Sequence, residues 1–472
     1  MSQTKPLAHL KIIDFSAVYA GPICTRLMSD CGADVIKIET PGLGDVIRGP
    51  KGTSRVFSHF NAGKKSVAVD LKTPEGQKMA KALVADADVV VENFRPGVMK
   101  QFGLDYQSLS AVKPDLVYCS ISGFGQKGPF AQRAAYAPIA HAAGGFDITH
   151  MRSQGEEEVE PSIWGIMIAD MLTGSYAYGA IQTALLGRQQ TGKGEYIDVT
   201  MLESMISLIP GQMQGAQIEN APKGGGFHPV RTNDGHLMIC ILSGKNMQGL
   251  CEAINRQDML GDARFSSSQR FRHMKEFVAE IESWSLHLSA LECEEALNRY
   301  GVPCSVYNAA EDLFDHPQIL SRNVFTEQQD EYGMFKIQNA PYMFASVDIS
   351  TSSESPGLGE HTDQVLSQYL GYGEDPDLGH DLALDGMASG GRTGIRLEGD
   401  PSLFTFGIYR LTLENANTRD PRLVAGSPPM LICGVVPDEL AIAQRSVVNQ
   451  EVVENENAAR SMNSGEDDEG GE

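Results

Sequence analysis

The chain has 472 residues, a formal net charge of −23 and 42% hydrophobic residues. A chain of this length rarely folds around a single hydrophobic core, so two or three folding units are expected. The acidic balance argues against a general nucleic-acid or polyphosphate surface, although a local basic pocket for one anionic ligand is still allowed. No apolar run approaches the roughly 20 residues of a bilayer span, and the N-terminal residues lack an apolar signal core. We therefore expect a cytoplasmic protein with neither nucleic acid nor a membrane as partner.

Signatures of bound metals and redox cofactors are missing. The eight cysteines show no C-x-x-C spacing and no Cys/His cluster that could close a metal site. Where a nicotinamide or flavin fingerprint would begin with a G-x-G-x-x-G motif, the chain has Ala20-Gly21-Pro22 instead. The sequence predicts reduced thiols, no metal and no permanently bound cofactor.

Short β-rich runs alternate with helical stretches from the start of the chain. One helix is predicted from about Ile23 to Cys31, and another over Gly76–Ala85, where Thr73-Pro74-Glu75 has the pattern of a helix start. Such alternation is typical of an α/β fold with a mostly parallel sheet and helices on both faces, as in Rossmann-like domains. The predicted strands are Leu10–Asp14, Asp34–Glu39, Ser66–Leu71, Asp88–Phe94 and Leu116–Ser122.

Composition divides the rest of the chain. Residues 221–229 contain three consecutive glycines and predict a linker, so residues 1–220 form the expected large domain and 221–335 a smaller one. Residues 376–472 are an atypical extension, since no lysine follows Lys336 and acids accumulate towards the end. From about Ser446 onward we expect disorder.

Asp170 is the single charged residue between Glu160 and Arg188. Burying a carboxylate costs several kcal/mol unless it is paired, hydrogen-bonded or used. One interpretation is a helix N-cap, a position that Asp favours. The other is a nucleophile, because the N–H groups and dipole of a helix start keep a carboxylate ionised in a dry pocket. Both interpretations can hold together.

Three other features are weaker. Residues 91–98 lie at a strand end where α/β sheets place ligands, but Asn, Pro and Gly also occur there for conformational reasons. In residues 59–65, Lys64 and Lys65 could contact phosphates, but the preferred interpretation is that they are solvent-exposed residues of a turn. His141, His150 and His228 have no partner at dyad or ligand spacing and are interpreted as structural.

In order and spacing, these pieces resemble the class III CoA-transferases (the CaiB/BaiF family), the group containing formyl-CoA transferase and the carnitine CoA-transferases. The resemblance covers about residues 7–370. The segments that carry it are LKIIDFSAVYAGPICTRLMSDCGADVIKIE (10–39), FNAGKKSVAVDLKTPEG (60–76), ADVVVENFRPGV (87–98), LVYCSISGFGQKGP (116–129), IADMLTG (168–174), DHPQILSRNVF (315–325) and LGEHTDQVL (358–366).

The resemblance implies a ping-pong transfer of CoA from an acyl-CoA to a small carboxylic acid, with Asp170 as the covalent nucleophile. It also implies a homodimer whose subunits interlock, and a segment, 336–375, that returns to the large domain. The family's closing glycine loop is best matched by Gly224, Gly225 and Gly226. The CoA-contacting positions of the family correspond to Tyr19, Ala20, Val69, Asp70, Leu71, Lys72, Asn93, Phe94, Arg95, Arg133 and Tyr136.

The chain departs from its family at particular positions. Formyl-CoA transferase has Gln at Tyr19, Arg at Thr40 and an acid at Ala137, which disfavours formate or oxalate specificity. One alternative is an α-methylacyl-CoA racemase of the same fold, but those enzymes have a histidine where this chain has Tyr136-Ala137. A non-catalytic acyl-CoA-binding paralogue is the other alternative, and loss of the nucleophile would be its mark. Asp170 is present.

Overall fold

The computed structural model describes residues 4–49, 52, 54–153, 160–161, 165–219 and 227–370, and the strand backbones 395–398, 408–413 and 430–433. Gly224–Gly226 and the tail from Ser446 lie outside these residues. The chain divides into two compact units. The described residues of unit 1 lie within Met1–Ala134, Gly165–Met201 and Thr326–Glu472, and those of unit 2 within Ala135–Trp164 and Leu202–Phe325. This division gives unit 2 residues on both sides of the linker, whereas the sequence-based division began the small domain at 221.

Unit 1 is built on a six-stranded sheet of order β3-β2-β1-β4-β5-β6. All five pairings are parallel, so the carboxyl ends of the six strands meet at one edge. The predicted parallel α/β sheet is confirmed. The strands of the described residues are β1 Lys11–Asp14, β2 Asp34–Glu39, β3 Lys65–Ala68, β4 Val89–Glu92, β5 Val117–Ser122, β6 Glu195–Thr200, β7 Pro229–Arg231, β8 His236–Ile239, β9 Cys304–Val306, β10 Phe325–Asp330, β11 Gly333–Gln338, β12 Ile395–Glu398, β13 Ile408–Leu413 and β14 Met430–Cys433.

Several helices begin at a side chain that caps them, and α3 is an example. Thr73 accepts a hydrogen bond from the Gly76 N–H at 3.0 Å, and Pro74 occupies the first turn of the helix that follows. The described α-helices are α1 Ala20–Asp30, α2 Arg55–Asn61, α3 Pro74–Ala85, α4 Val98–Gln101, α5 Tyr106–Ser110, α6 Ala137–Ala143, α7 Phe146–Ser153, α8 Ile168–Thr191, α9 Met201–Ile206, α10 Pro210–Gly215, α11 Gly244–Ala253, α12 Met274–Ser285, α13 Ala290–Arg299, α14 Pro317–Ser321 and α15 Thr362–Leu370.

The core of unit 1 comes from the apolar strands. Ile13, Ile36 and Val90 are fully buried between the sheet and its helices, which is why these strands appear as continuous apolar runs in the sequence. The chain returns to this unit after residue 325. The Ala68 N–H donates to Thr362 Oγ1 at 3.0 Å, so the start of α15 is attached to the edge strand β3.

Unit 2 has its own core around a three-stranded sheet of order β7-β8-β9. Both pairings are antiparallel. Leu237, Leu250, Ile281 and Leu297 are buried between this sheet and α11–α13. Unit 2 is therefore a small α/β unit with its own hydrophobic core and its own sheet. Elsewhere, β10 pairs with β11, and β12, β13 and β14 form an antiparallel sheet.

Membrane-spanning helices and metal clusters are both missing from the described part of the chain. None of its helices is long and apolar enough to cross a membrane. None of its His, Cys, Asp and Glu side chains gather in groups of three or more that could hold a metal ion.

Candidate active site

Asp170 lies in the first turn of α8, which packs against α1 and β5. The residue is 6% exposed. The N-cap position belongs to Met167, so Asp170 is the third residue of the helix and not its cap. The carboxylate still lies in the first turn of the helix, where the dipole favours a negative charge.

The environment of Asp170 is dry, with one hydrogen-bond donor nearby. Burial raises the pKa of Asp170 to about 7, and a hydrogen bond from the Ala20 N–H opposes the rise. Ala20 is the first residue of α1 and is fully buried. A carboxylate that titrates near neutral pH is more basic than an ordinary one and is still largely ionised above pH 7, as a nucleophile requires.

Gly174 allows the two helices to approach at this point. It lies one turn after Asp170, on the same face of α8. A Cβ atom on Gly174 would lie 2.3 Å from Ile23 Cγ2 and 2.4 Å from the Ala20 carbonyl oxygen. The backbone of α1 therefore lies directly against α8, which brings the Ala20 N–H within reach of the Asp170 carboxylate.

A buried ion pair supports the chain between β1 and α1. Lys64 Nζ lies 3.0 Å from Asp14 Oδ2, and neither side chain is exposed. Asp14 also accepts hydrogen bonds from the hydroxyls of Ser16 and Thr25. Burial alone would raise the pKa of Asp14, but the Lys64 and Lys37 cations and these hydroxyls lower it to about 2. The interpretation of Lys64 as a solvated turn residue is wrong, because its charge is paired inside the protein.

The loops after β1 and β4 meet at Ala17, three residues before Ala20. The sheet order reverses between these two strands, and ligands of open α/β sheets bind in the crevice at such a switch point. Asn93 accepts a hydrogen bond from the Ala17 N–H at 2.9 Å and donates to the Ala17 carbonyl at 2.8 Å. Both loops are therefore fixed against each other at the crevice.

Comparison with known proteins identifies the family. The model of CoA-transferase family III matches residues 7–362. The chain belongs to CoA-transferase family III. Its relatives include the succinate–glutarate CoA-transferase of Agrobacterium fabrum, 33% identical over 77% of this chain and 95% of that protein. The formyl-CoA:oxalate CoA-transferase of Rhodopseudomonas palustris is 29% identical over 79% of this chain and 95% of its own.

Comparison with solved structures leads to the same family. A CaiB/BaiF family protein from Brucella suis is 33% identical and has a TM-score of 0.68, covering 78% of this chain and all of that one. The resemblance inferred from the sequence is thereby confirmed, and this family III member is a CoA-transferase enzyme. CoA thioesters are the substrates of such enzymes.

Most of the predicted CoA-contacting residues share one edge of the sheet. Tyr19 and Ala20 follow β1, Val69 to Lys72 follow β3, and Asn93 to Arg95 follow β4, while Arg133 comes after β5. Because these parallel strands end at the same edge, the segments gather there. Lys72, Arg95 and Arg133 are exposed at that edge, and Val69 is buried.

The predicted CoA-contacting side chains differ in the hydrogen bonds that they already make. The Asn93 amide is engaged with Ala17, and Asp70 accepts a hydrogen bond from the Lys72 N–H at 2.9 Å. Tyr136, 40% exposed, precedes α6 in unit 2. The proposed glycine loop, Gly224–Gly226, lies outside the described residues.

Sequence reasoning missed the residues that hold the loop after β1. Asp45, in a connecting segment, accepts hydrogen bonds from the Val18 N–H and lies 3.0 Å from Lys37 Nζ. Glu92 ends β4, and burial raises its pKa to about 7 against hydrogen bonds from Ser120 and the Phe94 N–H. The one signal in the sequence is an acid at the end of an apolar strand, which Glu92 supplies and Asp45 does not.

Proposed function

We propose that this CoA-transferase works by ping-pong chemistry with the Asp170 carboxylate as covalent nucleophile. The observation that carries the proposal is the carboxylate itself. It is buried at the start of α8, and it receives the N–H of Ala20, the first residue of the helix that follows β1. The family supplies the reaction class, and the geometry supplies the group suited to perform it.

Each step exchanges one activated acyl carbon for another. An Asp170 oxygen attacks the thioester carbonyl of the donor, and the C–S bond breaks to give a mixed anhydride and CoA thiolate. The thiolate attacks the Asp170 carbonyl, releases the donor acid as its carboxylate and leaves an aspartyl-CoA thioester. The acceptor carboxylate then attacks this thioester, and the same steps run in reverse to form the new acyl-CoA.

The surroundings of Asp170 suit this sequence. No step needs a strong base, so the main requirement is an ionised, poorly hydrated carboxylate that is shielded from water. Burial supplies the low hydration, and the Ala20 N–H stabilises negative charge on the carboxylate oxygens. The site thus favours attack by the anion and disfavours hydrolysis of the anhydride.

Two features support a substrate class: the cations at the sheet edge and the names of the related enzymes. We propose that the CoA moiety lies along the sheet edge that carries Lys72, Arg95 and Arg133, whose cations attract its phosphates. The relatives named for succinate, glutarate and oxalate favour short dicarboxylic acids as the acyl groups. An interlocked homodimer that includes Tyr136 and the Gly224–Gly226 loop in its sites is part of the same proposal.

The decisive experiment traps the intermediate. The enzyme is incubated with succinyl-CoA and then with borohydride, which reduces an aspartyl thioester to an alcohol and changes the mass of the Asp170 peptide. Asp170→Ala should lose transfer by several orders of magnitude while its circular dichroism and CoA affinity are kept. As a control, Asp105→Ala removes the half-buried N-cap of α5 and should retain turnover.

Two results would overturn the proposal. Substantial transferase turnover in Asp170→Ala would remove this residue from the nucleophile role. Deuterium wash-in at the α-carbon of a 2-methylacyl-CoA, without a modified Asp170 peptide, would assign the racemase reaction instead, since racemisation needs a proton carrier and forms no covalent adduct.

A further inference from the structure

Three of the five residues between β1 and α1, residues 16–18, are held by side chains from different parts of unit 1. Ser16 donates its N–H to Asp14 Oδ1 at 2.9 Å, and its carbonyl accepts from Lys37 Nζ at 2.6 Å. Asn93 binds both the N–H and the carbonyl of Ala17. The backbone groups of Ser16 and Ala17 are therefore fixed by the side chains of other residues.

Val18 is the strained residue of this segment. Its φ is +69°, in the left-handed region that β-branched residues rarely adopt. Its N–H lies 3.1 and 3.2 Å from the two carboxylate oxygens of Asp45. Without that contact, the local preference of valine would return φ to negative values and redirect the chain that follows.

Asp45 is itself firmly placed. Its side chain is 1% exposed and lies 3.0 Å from Lys37 Nζ, which compensates its charge. Its backbone N–H donates to Glu39 Oε2 at 2.9 Å. A single carboxylate thus serves a lysine cation, the Val18 N–H and the Ile47 N–H, the last at 3.2 Å.

Two residues after Val18 comes Ala20, whose N–H donates to Asp170. We propose that Asp45 is a positioning residue: it holds Val18 in the left-handed conformation and thereby keeps the Ala20 N–H directed at the Asp170 carboxylate. This inference rests on the proposed role of Asp170. The strain at Val18 is maintained because the resulting direction of the chain is needed at the reacting group.

The test is a rescue experiment in the full-length enzyme. In Asp45→Asn the negative charge beside Lys37 is lost, and an NH2 group that cannot accept a hydrogen bond replaces one of the two oxygens facing the Val18 N–H. The contact that holds Val18 is weakened, so Val18 relaxes and the amide of Ala20 moves. We expect kcat to fall roughly tenfold or more with little change in the KM of succinyl-CoA. The acid limb of the pH profile of kcat/KM should move to higher pH, because the carboxylate loses its donor.

Val18→Gly supplies the rescue. Glycine adopts positive φ without strain, so the segment keeps its direction even when the Asp45 tether is weakened. Val18→Gly alone should stay within a few-fold of the wild-type rate, and the double variant should recover most of the rate and the pH limb lost in Asp45→Asn. A residue needed only for folding would show no such recovery.

Asp30→Asn is the matched control. Asp30 ends α1, is 2% exposed and is paired with Arg26, so it is a buried acid of the same kind that does not touch residues 16–18. Its replacement should lower thermal stability without moving the acid limb. A direct effect of the Asp45 charge on the Asp170 pKa is not expected. Among the described residues, that pKa is set by burial and by the Ala20 N–H.

The outcomes are distinct. If Asp170→Ala keeps its turnover, the proposed function fails and this inference falls with it. If Asp170→Ala is inactive but folded Asp45→Asn has a normal kcat and acid limb, or Val18→Gly fails to restore them, the positioning role of Asp45 alone is refuted.

Discussion

Replacing Gly174 by alanine should separate α8 from α1 at the nucleophile. The added methyl would lie 2.3 Å from Ile23 Cγ2, whereas carbon atoms in contact prefer about 3.5–4.0 Å. The second close atom, the Ala20 carbonyl oxygen at 2.4 Å, belongs to the backbone, so a side-chain rotation cannot relieve the overlap. The helices must move apart where the Ala20 N–H reaches Asp170.

The magnitude follows from three contributions. Alanine in place of glycine inside a helix normally stabilises by about 1 kcal/mol. Overpacking costs about 1–3 kcal/mol, and losing a hydrogen bond to a charged group costs about 1.5–3 kcal/mol. We therefore expect a net loss of about 1.5–5 kcal/mol in the free energy of unfolding, with kcat reduced by roughly tenfold or more.

Urea denaturation and steady-state kinetics measure the two effects. Gly179→Ala is the matched control, because Gly179 lies on the same helix and a Cβ atom added there would have no neighbour within 4 Å. That variant should be as stable as the wild type or slightly more so, with unchanged kcat. If Gly174→Ala behaves like Gly179→Ala, then the close approach of α1 to α8 has no part in holding the site.

Two further predictions concern buried charge. The folded protein keeps the Asp170 proton up to about pH 7, whereas the unfolded chain releases it near pH 4, so wild-type stability falls as pH rises through this interval. Asp170→Asn should match the wild type at pH 4 and exceed it at pH 8 by up to about 4 kcal/mol in denaturant titrations; equal pH dependence would contradict this. Lys64→Met removes the cation that is paired directly with the buried Asp14 and should cost about 3–5 kcal/mol, whereas Lys65→Met at the partly exposed pair with Asp34 should cost under about 1 kcal/mol. Similar urea midpoints for the two lysine variants would show that the buried pair is not specially important.

The strands were predictable where burial makes the sequence continuously apolar. The strand Asp34–Glu39 was predicted with its observed bounds, and the other buried strands to within a few residues at each end. The prediction for β3 extended to Leu71, but the strand ends at Ala68. Asp70 accepts from the Lys72 N–H, and its carbonyl accepts from Thr73, so the chain turns before α3. Such turns compete with strand pairing and leave only a weak trace in the sequence.

The site was predictable where a single residue contradicts its surroundings. Asp170 is an isolated charge in an apolar stretch, and the sequence alone shows this. The pairing of Lys64 with Asp14 joins residues 50 positions apart, so the sequence alone could not distinguish a buried lysine from a solvated one. The positive φ of Val18 and the contact of its N–H with Asp45 are likewise features that only the folded chain creates.

The contrast between Asp170 and its neighbouring charges explains why this carboxylate is suited to react. Asp14 is surrounded by cations and hydroxyls that hold its pKa at about 2, which makes it a fixed structural anion and a weak nucleophile. Asp170 is equally buried, but the described residues provide it with one N–H donor, and its pKa lies near 7. A cation beside Asp170 would stabilise the fold at the expense of its basicity. The free energy needed to keep the anion poorly solvated is therefore supplied by the rest of unit 1, where the paired charges hold the loop that leads to Ala20.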